Sequence, residues 1–108
     1  MKLVSSNHAG EAWCVRILGM APEKLTRQDI IEGKDLCRDA AAKARPATIE
    51  ESTQIRASSK GAAFLGHQSV EYRIAEENLV FVIGPGKQEP GVRVVVTCYR
   101  ANYFRRAA

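Results

Sequence analysis

Four consecutive runs decide the fold: HQSVEYRI (67–74), AEEN (75–78), LVFVIGPGKQEPG (79–91) and VRVVVTCYRANY (92–103). The first run alternates polar and apolar residues, as a strand with one buried face does. The start of the third run, 79–83, is apolar throughout, which is typical of an interior strand buried on both faces. Glycine and proline then indicate a loop, and the β-branched residues that follow predict a returning strand. The sequence therefore predicts a three-stranded antiparallel meander centred on 79–83.

The N-terminal half favours helices. Candidate N-caps at 5–7 precede a helix over 9–18, where a strand is the alternative because the apolar residues also alternate there. A second helix begins at a capping box, 26–29, and ends before Pro46. Gly33 costs that helix about 1 kcal/mol relative to Ala, so we expect a bend or a break at this position.

Residues 48–58 fit two structures. Polar side chains occupy every even position, which favours a half-buried edge strand. Thr48 and Glu51 also form a capping box, which would start a helix instead. If residues 48–58 form this edge strand, the chain is a single α+β domain, 1–108. Two N-terminal helices (about 7–45) pack on one face of a C-terminal antiparallel sheet of three to five strands (about 47–104).

Composition narrows the class of protein. Hydrophobic residues make up 45% and charged residues 26% of the 108, as in ordinary globular domains. No apolar run approaches the ~18–20 residues that span a bilayer, and no apolar segment follows the N-terminal Lys, so neither a membrane span nor a signal peptide is predicted. We expect action in the cytoplasm, and secretion by a route without a signal peptide stays open. Cys14, Cys37 and Cys98 lack zinc-site spacing and predict buried free thiols, with no metal or cofactor.

Positive charge concentrates at the C-terminal end. The net charge is +4, and the last sixteen residues contain no Asp or Glu. Their four guanidinium groups belong to Arg93, Arg100, Arg105 and Arg106. Such a basic end predicts contacts with nucleic acid, and RNA is the expected partner.

Two alternating strands carry the side chains of a metal-free ribonuclease. If the helices cover the face of Val70, Tyr72 and Ile74, the opposite polar face is open. That face then presents His67 as general acid, Glu71 as general base and Arg73 as phosphate clamp. Alternation in the last strand puts Arg93, Val95, Thr97 and Tyr99 on one face. Should the two faces coincide, Thr97 and Tyr99 would position the RNA. His8 is the reserve acid, and a solvated polar face without chemistry is the alternative.

Short motifs at both ends of the chain carry a family resemblance. They are SNHA at 6–9, RI at 16–17 followed by DIIE at 29–32, and VVTCYR at 95–100. In these motifs the chain resembles the barnase/EndoU/colicin/RelE (BECR) superfamily of small bacterial ribonuclease toxins. It is most similar to a branch with a His-Ala helix start and a C-terminal VVTxYR strand.

The resemblance implies a helical front, an antiparallel C-terminal sheet and metal-independent cleavage of RNA by a His, an Arg or Lys, a Thr and a Tyr. The residues that match are His8 or His67, Arg73, Thr97 and Tyr99. It also implies a neutralising acidic immunity or antitoxin protein as a partner. Two other hypotheses stay open: a non-catalytic module that binds nucleic acid, and a protein-interaction module of the toxin–immunity type.

Overall fold

The structure is a computed structural model that describes residues 2–58, 70–86 and 90–101. Its elements are β1 (Lys2–Ser5), α1 (Asn7–Ala12), α2 (Arg27–Lys43), β2 (Arg45–Pro46), α3 (Ile49–Ala57), β3 (Glu71–Ala75), β4 (Leu79–Pro85) and β5 (Val92–Arg100). A π-helical turn, Trp13–Ile17, extends α1, and 3₁₀ turns, Pro22–Lys24 and Glu76–Asn78, precede α2 and β4. The predicted α+β class is confirmed. No helix in the described ranges is long and apolar enough to cross a membrane.

The described strands form one sheet in the order β1-β5-β4-β3-β2. The prediction that β4 is an interior strand between β3 and β5 is confirmed, and its residues from Leu79 to Gly84 are all buried. The purely antiparallel sheet was wrong, because β1 pairs with β5 in parallel. This strand escaped the sequence reasoning since its four residues depend on a partner that lies ninety residues away.

Helices cover both faces of the sheet. On one face, α1 and α2 bury small side chains such as Ala9, Cys37 and Ala41 against Phe81 and Ile83. On the other face, Ile55 of α3 packs into a second cluster with Tyr72, Ile74, Val80, Val82 and Tyr99. The expected coverage was therefore wrong: the face of Tyr72 and Ile74 packs against α3, and the two N-terminal helices lie on the opposite face.

Helix α2 begins at the predicted capping box, where Thr26 and Asp29 bond each other's backbone N–H groups. The helix runs unbroken through Gly33, against expectation. Glycine is required there by packing, because a Cβ atom on Gly33 would lie 2.6 Å from the carbonyl oxygen of Gly10 in α1. The close approach of the two helices offsets the low helix propensity of glycine.

Residues 49–57 form helix α3, so the predicted edge strand was wrong. Thr48 and Glu51 make a complete capping box. Arg45 then pairs with the same carboxylate through two hydrogen bonds of 2.7 Å. These local bonds fix the first turn of α3, although Ile55 is its only buried residue. Local capping outweighed a polar alternation that only resembled a strand.

The Arg45–Glu51 pair gives the fold a dependence on pH. Hydrogen bonding to Arg45 is the main cause that lowers the pKa of Glu51 to about 2, from the ordinary 4.5. Because the folded-state pKa is depressed, the stabilisation is present above about pH 4.5 and is lost as the pH falls toward 2.

We expect the free energy of unfolding of Glu51→Gln to fall less than that of wild type between about pH 4.5 and about pH 2, as measured by urea unfolding. Glu50→Gln, in the same turn, should behave as wild type, and equal losses in all three proteins would contradict the assignment.

Candidate functional site

The two polar faces identified in the sequence do not coincide. In the β4–β5 ladder Val82 pairs with Thr97 and Ile83 pairs with Val95, so Val96 is an extra residue in β5. Such a bulge reverses which face the side chains on its two sides occupy. Arg93 and Val95 therefore lie on the α1/α2 face, while Thr97 and Tyr99 do not. The expected single face from Arg93 to Tyr99 is wrong for this reason.

Both Thr97 and Tyr99 are buried. The side chain of Tyr99 is 1% exposed and packs beside Tyr72 and Val80 in the core below α3. A ring so enclosed offers no face on which a base could stack, so we assign Tyr99 to the core. Thr97 is 5% exposed, and its hydroxyl accepts a hydrogen bond of 3.1 Å from Arg16 Nη1. This threonine positions another side chain and does not meet solvent itself.

Glu71 and Arg73 are brought together with Arg93 in a half-buried ion cluster. Arg73 Nε and Nη2 lie 3.4 Å from the Glu71 carboxylate, and Arg93 Nη2 lies 3.8 Å from it. Arg73 Nη1 also donates to the Ala41 carbonyl in the last part of α2, at 3.1 Å. This cluster ties β3 to β5 and α2. The base and clamp roles of Glu71 and Arg73 stay predictions, and neither residue shares a face with Thr97.

Three further residues of the predicted site lie outside the described residues: His67, Arg105 and Arg106. Arg100 is described and exposed, and its Nη1 donates to Glu77 at 2.9 Å. The nucleic-acid contacts assigned to these arginines therefore stay predictions.

The start of α1 and the end of its π turn are both bonded to one stretch of β5. Ser6, the N-cap of α1, donates through Oγ to the Val96 carbonyl at 3.1 Å. Arg16 Nη1 donates to the hydroxyl of Thr97 and to the carbonyl of Cys98, each at 3.1 Å. The two carbonyls are two residues apart, about 6.6 Å along a strand. This part of β5 lies beyond the end of β1, so Arg16 occupies the edge that β1 leaves unpaired.

The π turn orients Arg16 relative to the exposed side chains of α1. In a continuous α-helix Arg16 would be rotated about 80° from His8, at 100° per residue. In the π turn the Leu18 N–H donates to the Trp13 carbonyl at 3.1 Å, five residues earlier. Each residue of this wider turn rotates by less than about 100°, so the angle between Arg16 and His8 is smaller than about 80°. Long helical side chains lean toward the N-terminus of their helix, and the Arg16 guanidinium meets β5 one and two residues beyond the Val96 carbonyl that binds Ser6. Glu11, three residues after His8, is its neighbour on the helix surface and is exposed as well.

These three exposed side chains offer a complementary set of groups: an imidazole, a carboxylate and a guanidinium. Imidazole can donate or accept a proton near neutral pH, and guanidinium binds phosphate oxygens in pairs. Sequence reasoning singled out His8 only as the reserve acid and gave no role to Glu11 or Arg16. The signal that could have found them is the spacing of polar residues after the His-Ala helix start.

The prediction of buried free thiols is confirmed for all three cysteines. Burial raises the pKa of the Cys14 thiol, which donates to the Asp29 carbonyl at 3.3 Å. A hydrogen bond between Cys37 and Cys98 lowers the pKa of the first thiol and raises that of the second. In the described ranges no group of three or more His, Cys, Asp or Glu side chains has the arrangement of a metal site.

Comparisons with protein-family models, curated proteins and solved structures give no match to this chain. The resemblance to ribonuclease toxins therefore stays a prediction from the short motifs.

Proposed function

We propose that this chain is a metal-independent ribonuclease whose site lies on α1 and its π turn, with His8, Glu11 and Arg16 as the acting groups. The observation that carries the proposal is the pair of hydrogen bonds from Arg16 to β5. They anchor an exposed guanidinium to β5, next to the Val96 carbonyl that binds Ser6, the N-cap of the helix that carries His8 and Glu11. The motifs SNHA and VVTCYR therefore meet at this point.

The chemistry follows from the three groups. Glu11 accepts the proton of a ribose 2′-hydroxyl, which then attacks the adjacent phosphorus. His8 donates a proton to the departing 5′-oxygen, so the products are a 2′,3′-cyclic phosphate and a 5′-hydroxyl. Arg16 stabilises the additional negative charge that develops on the phosphoryl oxygens.

The way in which Arg16 is held supports this role. Both contacts with β5 use Nη1, and the residue is exposed overall. Within the described ranges no contact engages the Nε and Nη2 side of the guanidinium, which leaves that edge for two phosphate oxygens. Thr97 is then a positioning residue: its hydroxyl holds the clamp and does not contact the RNA.

We expect the purified protein to cleave single-stranded RNA in the presence of a metal chelator. The products should end in a 2′,3′-cyclic phosphate, which phosphatase leaves in place and mild acid opens, as followed by mass spectrometry of a short labelled RNA. Cleavage that stops in chelator and returns with a divalent cation would contradict the mechanism. Salt-sensitive RNA binding without cleavage would favour the non-catalytic binding module instead.

A further inference from the structure

A cavity of about 830 Å³ opens between the π turn, the end of α2 and the 3₁₀ turn before β4. Its floor is apolar and includes Trp13, Ile17 and Leu79, which belong to or pack against the core of the α1/α2 face. Its rim carries Lys43 and Arg100, both exposed. An open cleft of this volume, with an apolar floor and charged side chains around its rim, has room for a small charged molecule.

The cavity adjoins the π turn that carries Arg16. Trp13 and Ile17, which line it, lie in the same π turn as Arg16. Arg100 lines it from β5, two residues beyond the Cys98 carbonyl that Arg16 binds, or about 6.6 Å along the strand. A molecule in the cavity therefore contacts the same π turn that carries Arg16.

The indole of Trp13 gives the floor a flat surface. Its ring stacks on Phe81, with centroids 6.5 Å apart and planes 18° apart, and Phe81 is fully buried. The core therefore fixes the indole from one side, and the half-buried ring contributes to the cavity wall. Fixed aromatic side chains are the usual platforms on which proteins stack unpaired bases.

Two polar residues of the 3₁₀ turn have an unusual backbone conformation. Glu77 and Asn78 line the cavity with φ values of 60° and 57°, in the left-handed region. Non-glycine residues there are uncommon, and they concentrate at functional sites. The Glu77 carboxylate accepts a hydrogen bond of 2.9 Å from Arg100, which pairs the two side chains at the rim. The Asn78 amide offers a donor and an acceptor to the edge of a base.

We propose that this cavity binds the base of one nucleotide of the RNA, stacked against Trp13, with its phosphates toward Lys43 and Arg100. The inference rests on the proposed ribonuclease function and assigns a base-binding subsite next to the π turn that carries Arg16. Free nucleoside monophosphates should occupy the same cavity, so binding can be measured without cleavage.

Trp13 is the only tryptophan of the chain and reports on its own cavity. We expect adenosine or guanosine monophosphate to quench its fluorescence in a saturable way at constant ionic strength. Inorganic phosphate at the same concentration should leave it unchanged. Quenching by phosphate equal to that by the nucleotides would overturn the stacked base and leave an anion site only.

Two variants locate the binding. Ala44 lines the cavity, so Ala44→Leu fills it and should weaken nucleotide binding by about tenfold or more. Ala42→Leu, on the exposed side of α2, should bind as wild type. Should Ala44→Leu fail to fold by circular dichroism, Lys43→Glu at the exposed rim provides the test, with Lys24→Glu as its control. Equal affinities in each cavity variant and its control would overturn the proposal.

The experiments distinguish failure of the base-binding cavity from failure of the ribonuclease proposal. Nucleotide binding that is lost in Ala44→Leu, in a protein that cleaves no RNA, supports the base site and contradicts the ribonuclease. RNA cleavage at equal rates in Ala44→Leu and Ala42→Leu, without quenching by nucleotides, supports the ribonuclease and overturns the base site.

Discussion

Replacing Phe81 by Ala should lower the free energy of unfolding by about 3–5 kcal/mol. Phe81 is fully buried in the central strand, pairs with Arg73 and Cys98 on its two sides, and supports the indole of Trp13. The substitution removes the ring and leaves a cavity that the rigid sheet cannot fill. Against a total stability of about 5–15 kcal/mol, such a loss brings the protein near the unfolding threshold.

Urea unfolding followed by circular dichroism measures this loss. Ile49→Ala is the matched control, because Ile49 is 89% exposed in the first turn of α3 and should change stability by no more than about 0.5 kcal/mol. Equal unfolding curves for the two variants would contradict the position of β4 at the centre of the sheet.

The central strand could be predicted because its information is local. Five consecutive apolar residues between turn signals have few solutions in a chain of this length, and burial on both faces is one of them. The capping box of α2 was equally local. Both predictions are confirmed since no distant residue had to be known.

The errors arose where a distant partner or one extra residue decides the structure. Strand β1 exists because Val4 pairs with Val94, and four residues give too little periodicity to indicate it. Nothing in the run of valines marks Val96 as a bulge, yet that residue sends Thr97 to the opposite face from Arg93. In α3 the pattern of polar residues was strand-like, and the bond from Arg45 to Glu51 decided for the helix.

Only part of the candidate site could be predicted from the sequence. His8 and Thr97 belong to the quoted motifs, but the sequence does not indicate that the two motifs are in contact. That link is Arg16, which is bonded to a strand residue 81 positions away. Its orientation also depends on a π turn, for which the sequence carries no simple signal. A local sequence pattern can thus identify candidate side chains, but it does not predict which of them are in contact in the folded protein.

The choice between the two histidines has the largest expected effect on activity. We expect His8→Ala to reduce the rate of RNA cleavage by about 10²–10⁴-fold, the usual cost of losing a general acid. The fold should be unchanged, because His8 is exposed and the cap of α1 is made by Ser6. His67→Ala is the matched control, since the chain has no other histidine, and it should cleave as wild type.

Single-turnover cleavage of one labelled RNA, across a range of pH, separates loss of chemistry from loss of binding. If His8 donates the proton, its removal lowers the rate of the chemical step, changes the dependence of that rate on pH, and leaves the affinity for RNA nearly unchanged. A general loss of binding would instead mean that His8 only contacts the RNA. Full activity in His8→Ala together with loss in His67→Ala would move the acid to the segment before β3. There Glu71 and Arg73 are already paired, so the catalytic groups would have to exchange these ion pairs for contacts with the substrate.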